Sequence, residues 1–413
     1  MRDVYVVGTA MTAFGRFADA TVKGLTEFAV SAAIKDSGLV HSNIGAIFYS
    51  NTSQSPLEGQ HMIAGQVALR PLGFERIPII NVENACASST SGLHAAFAYI
   101  RAGMCDVALV VGVDKMTHPD KAKSLALFDG AWDVHCADTA YAKVMEMGRG
   151  ISSPSDQEDL ANRSVFMDIY AALARFHMKT FGTTERQIAA VSSKNHYHST
   201  FNRLAQYQKN MTIEEVLKAP MITWPLTLPM CAPVTDGGAA IVLTAGDVMA
   251  AEARKRAVKI RASVLASGTN RGYEEYGKNI CHLAATQAYE IAGIEPKAIS
   301  VAEVHDASAF AEISQIENLG FVEFGEGGPA SERGDTKLGG RIPVNVSGGL
   351  ESKGHPIAAT GLGQIFELTR QLRGEAGASQ VPNARFAIAE NGGGFHGFEE
   401  GAACITILEG PST

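Results

Sequence analysis

Asp236-Gly237-Gly238-Ala239-Ala240-Ile241-Val242-Leu243-Thr244 is answered near the end of the chain by Glu400-Gly401-Ala402-Ala403-Cys404-Ile405-Thr406-Ile407-Leu408. Each is an acidic residue, a glycine, small residues and then a short apolar run, the pattern of a buried strand. The likeness extends upstream. Residues 84–103 and the apolar run 107–112 are matched by residues 345–374 and the run 386–389. In both, a polar loop enters a long helix and a buried strand follows. A self-similar pattern of this length implies a duplication, with equivalent loops of two halves facing each other. The expected halves are residues 1–246 and 247–413, the first carrying a lid or loop insertion at about 114–233.

The facing loops are where chemistry is expected. In the first half, Ile77-Pro78-Ile79-Ile80-Asn81-Val82-Glu83 reads as a buried strand, and residues 92–103 read as a helix ending on Gly103. Cys86 lies between them. Unpaired N–H groups at a helix start favour an anion, so the thiol is expected to have a lowered pKa and to act as a nucleophile. Free cysteines are usually buried small hydrophobes, as Cys105, Cys136, Cys231, Cys281 and Cys404 are expected to be. Cys86 differs because Ala85, Ala87, Ser88, Ser89 and Gly92 leave room for a ligand beside the sulfur.

Elsewhere in the first half, Val4-Tyr5-Val6-Val7-Gly8 reads as a strand and Val22–Ser37 as a helix with Leu25, Ala29, Ala33 and Ile34 on one face. A strand over 44–50, a helix over 60–69 and a strand over 107–112 complete an alternating α/β order, which implies a mostly parallel, buried sheet. Within the insertion, Ser155 to Asp159 is expected to cap a long helix reaching about Thr180, and Thr184 to start another running into His198. An insertion this long usually lies over the active end of a sheet and shapes the pocket.

The 413 residues are 46% hydrophobic and 19% charged, with a net charge of −8 and no basic run. Nucleic acid and anionic membrane surfaces are therefore excluded as expected partners, and an acidic substrate would need local basic groups. No apolar run approaches a membrane span, and Met1-Arg2-Asp3 leads straight into a strand. Six cysteines without a CxxC pair fit a reducing cytoplasm and no metal site.

Three clusters in the second half can surround a thiol. Gly348-Gly349-Leu350-Glu351-Ser352-Lys353-Gly354-His355-Pro356 offers His355, either a turn residue or the base that takes the Cys86 proton to give a thiolate–imidazolium pair. Val304-His305-Asp306-Ala307-Ser308 offers His305 as a donor to an oxygen where charge develops, or else a capped helix start. Glu390-Asn391-Gly392-Gly393-Gly394-Phe395-His396-Gly397 offers backbone N–H groups which, with that of Cys86, would form an oxyanion hole, or else a plain glycine turn.

The blocks NACASSTSG, HDASAFAE, NVSGGLESKGHPIAATG and ENGGGFHG, in that order, resemble the four active-site blocks of thiolases, most closely the sterol-carrier-protein-type, lipid-transfer-like branch. The resemblance covers essentially the whole chain. It implies the thiolase fold, a duplicated five-layered α-β-α-β-α architecture, as a homodimer or dimer of dimers. It implies an acyltransferase acting on acyl-CoA, with coenzyme A as co-substrate and no permanently bound cofactor. Cys86 would be the acylated nucleophile, His355 its base and His305 a holder of the thioester oxygen. The N–H groups of Cys86 and of Gly392 or Gly393 would form the oxyanion hole, and Ser347, Gly348, Asn391 and His396 would contact substrate.

Thiolases generally carry a second cysteine for proton exchange. The corresponding places here hold Glu390 and Ala307. Glu390, buried and with a raised pKa, is the expected replacement, with His396 behind it. The leading expectation is cleavage or formation of a 3-oxoacyl-CoA through a Cys86 acyl-enzyme, on a bulky, branched or aromatic acyl group in lipid or aromatic degradation. The alternatives are retro-aldol cleavage of a 3-hydroxyacyl-CoA and a non-catalytic acyl-CoA or lipid-binding subunit. Some bacterial members of the branch lack a sterol-carrier domain, as this chain is expected to, and work with a small zinc-ribbon/OB-fold partner subunit.

Overall fold

A computed structural model describes residues 2–151 and 164–411. Nine strands form one twisted sheet system: β1 (Val4–Met11), β2 (Ala46–Ser50), β3 (Ile79–Asn81), β4 (Val107–Asp114), β5 (Gly237–Ala245), β6 (Val258–Ser267), β7 (Val301–Glu303), β8 (Phe386–Gly393) and β9 (Ala402–Glu409). Their order is β3-β2-β4-β5-β1-β6-β9-β8-β7. The first half supplies one run and the second half the other, joined only where Tyr5 and Val6 pair with Lys259 and Val258. An isolated parallel bridge from Ala302 to Val344 occupies, in the second half, the place β3 holds in the first.

The expected parallel pairing is found toward both ends, in β3 with β2, β2 with β4, and β8 with β7. The five central pairings are antiparallel. Connection length explains part of this. Strand β8 reaches β9 through residues 394–401 alone, too short for the crossover that a parallel pair requires.

Seven helices matter to the layers: α1 (Val22–Ser37), α2 (Ser88–Arg101), α3 (Val165–Phe181), α4 (Glu185–Ser199), α5 (Ile280–Ala292), α6 (Ala309–Asn318) and α7 (Thr360–Leu372). Leu25, Ala29 and Ala33 of α1 cover the outer face of the first run against Leu109, Val111 and Val242. Between the two runs lie α2, through Leu93, Ala96 and Ile100, and α7, through Leu362, Ile365 and Leu368. Ala284 and Ala288 of α5, with Ile316 just inside the end of α6, cover the far face against Val264, Ile388 and Ile405. This is helix, sheet, helix, sheet, helix. Every residue of β4 and β5 is buried, as a strand sandwiched between helices must be.

Local signals set many boundaries. The Thr21 side chain accepts from Gly24 N–H at the start of α1, and Gly38 closes that helix in the left-handed region at φ 70°. Thr184 caps α4 in a capping box with Gln187. Three expectations are corrected. Of the helix expected over 60–69 only Ala64–Leu69 is helical, and a separate short helix, Gln54–Glu58, precedes it, with Gly59 and Ile63 between them in the left-handed region at φ 74° and 51°. Strand β3 is a short, half-exposed edge rather than a buried strand. The nucleophile helix begins at Ser88, before the expected 92. The Ser155 cap lies outside the described residues.

The insertion clasps the second half. From α4, the Lys194 ammonium donates to Glu312 at 2.5 Å, Asn195 donates to Asp306, Glu312 and Glu351, and His198 contacts the Asn345 carbonyl at 3.0 Å.

Candidate active site

Strand β3 leads into a single tight turn, Ala85–Ala87, before α2 starts. Ala85 is held at φ 47°, its N–H donating to Glu83 at 2.6 Å, while the Asn84 N–H donates to Ser88 Oγ at 2.9 Å. This bent turn presents the half-buried Cys86 to a large cavity. Gly393 at the end of β8 makes the bend possible. A Cβ there would stand 2.2 Å from the Asn84 carbonyl and 2.6 Å from the Ala87 nitrogen.

His355 arrives from the other half. Its Nε2 lies 3.3 Å from Cys86 Sγ, and its Nδ1 lies 2.6 Å from Thr360 Oγ1. The Thr360 hydroxyl spends its own hydrogen on the Pro356 carbonyl at 3.0 Å, so toward His355 it can only accept. The imidazole therefore carries its proton on Nδ1 and turns the Nε2 lone pair to the thiol, the tautomer a base needs. Below, Asp114 accepts the Ala358 N–H at 2.6 Å together with the N–H groups of Thr52 and Ser53, and so fixes the start of the His355 helix to the first half.

The protonation states differ from the sequence expectation. Burial, followed by the Asp114 carboxylate, pushes the Cys86 thiol up to about 12, against the pull of the Gly394 and Cys86 N–H groups. The turn's few N–H groups do not offset desolvation of the sulfur. Burial, then the neighbouring His305, holds His355 well below the usual imidazole value. The resting pair is thus neutral thiol and neutral imidazole, not thiolate and imidazolium.

His305 follows β7, and its ring centroid is 5.3 Å from that of His355. Both ring nitrogens are buried without a hydrogen-bond partner, and burial lowers its pKa to about 4. A neutral imidazole on the cavity wall with a free N–H can donate to a substrate oxygen. Cys86, His305 and His355 bring one ligand atom each within 4.8 Å of one another.

The other expected site residues fall differently. Gly392 and Gly393 belong to β8 and pair with Ala403 and Ala402, whereas Gly394 is the glycine on the cavity wall with its N–H toward the sulfur. Glu390 is fully buried one layer behind His305. Its carboxyl accepts the His305 backbone N–H at 2.8 Å and the Cys281 thiol at 3.5 Å, and burial followed by Glu400 pushes it up to about 8. It does not line the cavity. Ser347 gives its hydroxyl to Glu303 at 2.6 Å, Gly348 packs on Ser199, and Asn391 accepts from Thr90 at 2.8 Å. These three brace the His355 loop and α2, and none of them lines the cavity. His396 sits exposed in the turn between β8 and β9, bridged to Glu399.

The cavity measures about 1250 Å3. Its wall combines both halves with the insertion, through Phe128, Phe166, Met167 and Tyr170 from the latter. Arg16, Lys121 and Lys209 stand exposed on its rim, the local positive charge that a net-acidic chain needs for an anionic substrate. Sequence reasoning missed these three and Thr360. Scattered lysines carry no pattern, but a hydroxyl residue one helical turn beyond the histidine was a usable signal.

A duplicated five-layer α/β body with a cysteine and a histidine meeting from opposite halves defines a class of acyl-transfer enzyme. Residues 4–247 match the family model "Thiolase, N-terminal domain", and residues 273–408 match "Thiolase C-terminal domain-like". An acetyl-CoA acetyltransferase of Methanothermobacter thermautotrophicus is 36% identical over 96% of this chain and 98% of its own. Sterol carrier protein 2 of Bos taurus is 34% identical over 94% of this chain and 69% of its own. Among solved structures, the "Ltp2-ChsH2(DUF35) aldolase" shares the fold at a TM-score of 0.77, with 21% identity over 100% of this chain and 98% of that one. Human mitochondrial 3-ketoacyl-CoA thiolase does so at 0.69, with 17% identity over 100% and 99%. The chain belongs to the thiolase family. It is an acyltransferase with coenzyme A as co-substrate. Among the described residues, no helix is long and apolar enough to cross a membrane.

Proposed function

We propose that this protein cleaves, and in reverse forms, 3-oxoacyl-CoA thioesters carrying a bulky, branched or aromatic acyl group, through an acyl-enzyme on Cys86. The observation that carries the reading is the 3.3 Å contact between Cys86 Sγ and a tautomer-fixed His355 Nε2 inside a cavity of about 1250 Å3. Such a cavity exceeds the roughly 300–1,000 Å3 of common small-molecule sites.

In this mechanism, Cys86 sulfur attacks the 3-oxo carbon while its proton passes to His355 Nε2. The oxyanion is met by the N–H groups of Cys86 and Gly394, and His305 donates to the thioester oxygen of the departing half. The C2–C3 bond breaks, leaving an acyl group on Cys86 and an enolate that must gain a proton. Coenzyme A thiol, deprotonated by His355, then takes the acyl group.

Intact-protein mass spectrometry after mixing with 3-oxoacyl-CoAs of increasing bulk tests this. A mass increase equal to the acyl group, absent in Cys86→Ala, is the expected result. Near wild-type thiolysis in Cys86→Ala would overturn it. A second reading, retro-aldol cleavage of a 3-hydroxyacyl-CoA, draws support from the fold shared with the Ltp2-ChsH2(DUF35) aldolase. It predicts that Cys86→Ala keeps cleavage of the hydroxy substrate. A homodimer or dimer of dimers is proposed on the half-exposed edge strand β3. The Ltp2-ChsH2(DUF35) aldolase carries two components in its name, which supports a second subunit here, proposed as a small zinc-ribbon/OB-fold partner and testable by purification with candidate subunits.

A further inference from the structure

The enolate left by carbon–carbon cleavage needs a proton when Cys86 is acylated. Among the described residues, Cys231 is the cavity-wall cysteine besides Cys86, its thiol given to the Thr227 carbonyl at 3.5 Å, and the Glu390 carboxyl lies behind His305, accepting its backbone N–H. Tyr170 occupies the relevant space. It projects from α3, which the insertion lays over the site, and lines the catalytic cavity together with Cys86, His305 and His355. It also lines an adjoining cavity of about 70 Å3 that reaches Gln315 and Glu400. Its hydroxyl has no hydrogen-bond partner among the described residues.

Behind that small cavity, Cys281, Glu390 and Glu400 place one polar atom each within 4.8 Å of one another. Gln315 donates to Glu400 at 2.9 Å, and the Cys281 thiol donates to Glu390. Tyr170 is thus a half-buried phenol between the reacting cysteine and a buried acid cluster. A buried tyrosine hydroxyl usually finds a partner. One left without a partner on a substrate cavity is available to the substrate.

We propose that Tyr170 is the acid that protonates the enolate carbon in the cleavage direction. This rests on the thiolase reading above. The Tyr170 hydroxyl proton goes to C2 of the enolate, forming a C–H bond and leaving a phenolate. The proton that His355 took from Cys86 then returns to the phenolate, so His355 is neutral again for coenzyme A. Protons balance, and no oxidant or reductant enters. Burial and then Glu400 hold the phenol well above its usual range, which keeps it protonated at every working pH. In the condensation direction the same steps run in reverse: the phenol gives its proton to His355 Nε2, and the phenolate so formed removes the C2 proton.

The test uses the whole chain with Tyr170→Phe, which keeps the ring and removes only the hydroxyl. Acylation of Cys86 by p-nitrophenyl acetate, a thiol-reactive ester that needs no enolate, is expected within about threefold of wild type. Cleavage of 3-oxoacyl-CoA is expected to fall about 10²–10⁴-fold, the usual loss for a general acid. In D2O, wild type places one deuterium in the released acetyl-CoA, whereas Tyr170→Phe accumulates acyl-Cys86 with slow release of that product. Unchanged cleavage in Tyr170→Phe overturns the proposal. So does parallel loss of ester acylation, because a donor acting after bond cleavage is not needed for that step. Failure of the thiolase reading looks different, since wild type itself would then form no acyl-Cys86 from a 3-oxoacyl-CoA.

Discussion

The proton on Cys86 is held there by its surroundings: burial disfavours the thiolate, the Asp114 carboxylate adds repulsion, and two N–H groups oppose them without winning. Alkylation of Cys86 by iodoacetamide, followed by peptide mass spectrometry to separate it from the exposed Cys136, is therefore slow at pH 7. A raised thiol pKa means the thiolate fraction climbs with pH toward about 12, so the rate rises about tenfold per pH unit between 7 and 9. A plateau below pH 8 would instead reveal a resting thiolate–imidazolium pair. Thr360 has a separate influence, through the tautomer of His355. Thr360→Val keeps the shape and removes the acceptor, leaving Nε2 free to carry the proton. Its kcat/KM is expected to drop by about 10²-fold with KM little changed, near the lower end of what a general base contributes. Thr360→Ser restores the acceptor and most of the rate, whereas equal loss in both variants would mark a packing role.

At the scale of elements, the nucleophile turn depends on how closely β8 approaches it. Gly393→Ala drives a methyl into the Asn84 carbonyl at 2.2 Å, an atom of the backbone that cannot swing aside. The expected loss is about 1–3 kcal/mol in a urea melt, with Cys86 acylation falling further than stability because the turn carries the sulfur. Gly277→Ala, with no atom within 4 Å of the added methyl, should stay within about 0.5 kcal/mol and serves as the control. Elements with complete local signals were legible. Thr21 and Gly38 bracket α1, and Thr184 with Gln187 starts α4. Where a boundary depends on a non-glycine residue in the left-handed region, as at Ile63, no local preference announces it. Of the site, the residue types and the meeting of loops were readable, because duplication puts equivalent loops opposite each other. The thiol's raised pKa was not, since desolvation comes from side chains distant in sequence. The orientation of Glu390 was also hidden, because a strand's alternation does not say which face meets the cavity.

For the whole molecule, the cavity is a joint product: Cys86 from the first half, His305 and His355 from the second, and the insertion as the remaining wall. The nucleophile and its base come from the duplicated frame, whereas the space beyond them, Tyr170 included, is shaped largely by residues outside it. Formation of the acyl-enzyme and acyl-group selection therefore rest on different parts of the chain, and selection can be altered while the Cys86–His355 pair stays intact. Met167 of α3 lines the cavity and can be enlarged without touching that pair. Met167→Trp should lower kcat/KM for a bulky 3-oxoacyl-CoA by about tenfold or more, on the scale of pocket discrimination between acyl groups differing by a methylene or two. Acetoacetyl-CoA, whose acyl group stays beside Cys86, should keep its rate within about threefold. The informative quantity is the ratio of the two rates, because a general disturbance of α3 lowers both together. Equal losses on the short and bulky substrates would mean that the insertion supports the fold without selecting the acyl group. A selective loss on the bulky substrate would assign selection to the insertion, so that differences in that segment alone would redirect the same chemistry to other acyl groups.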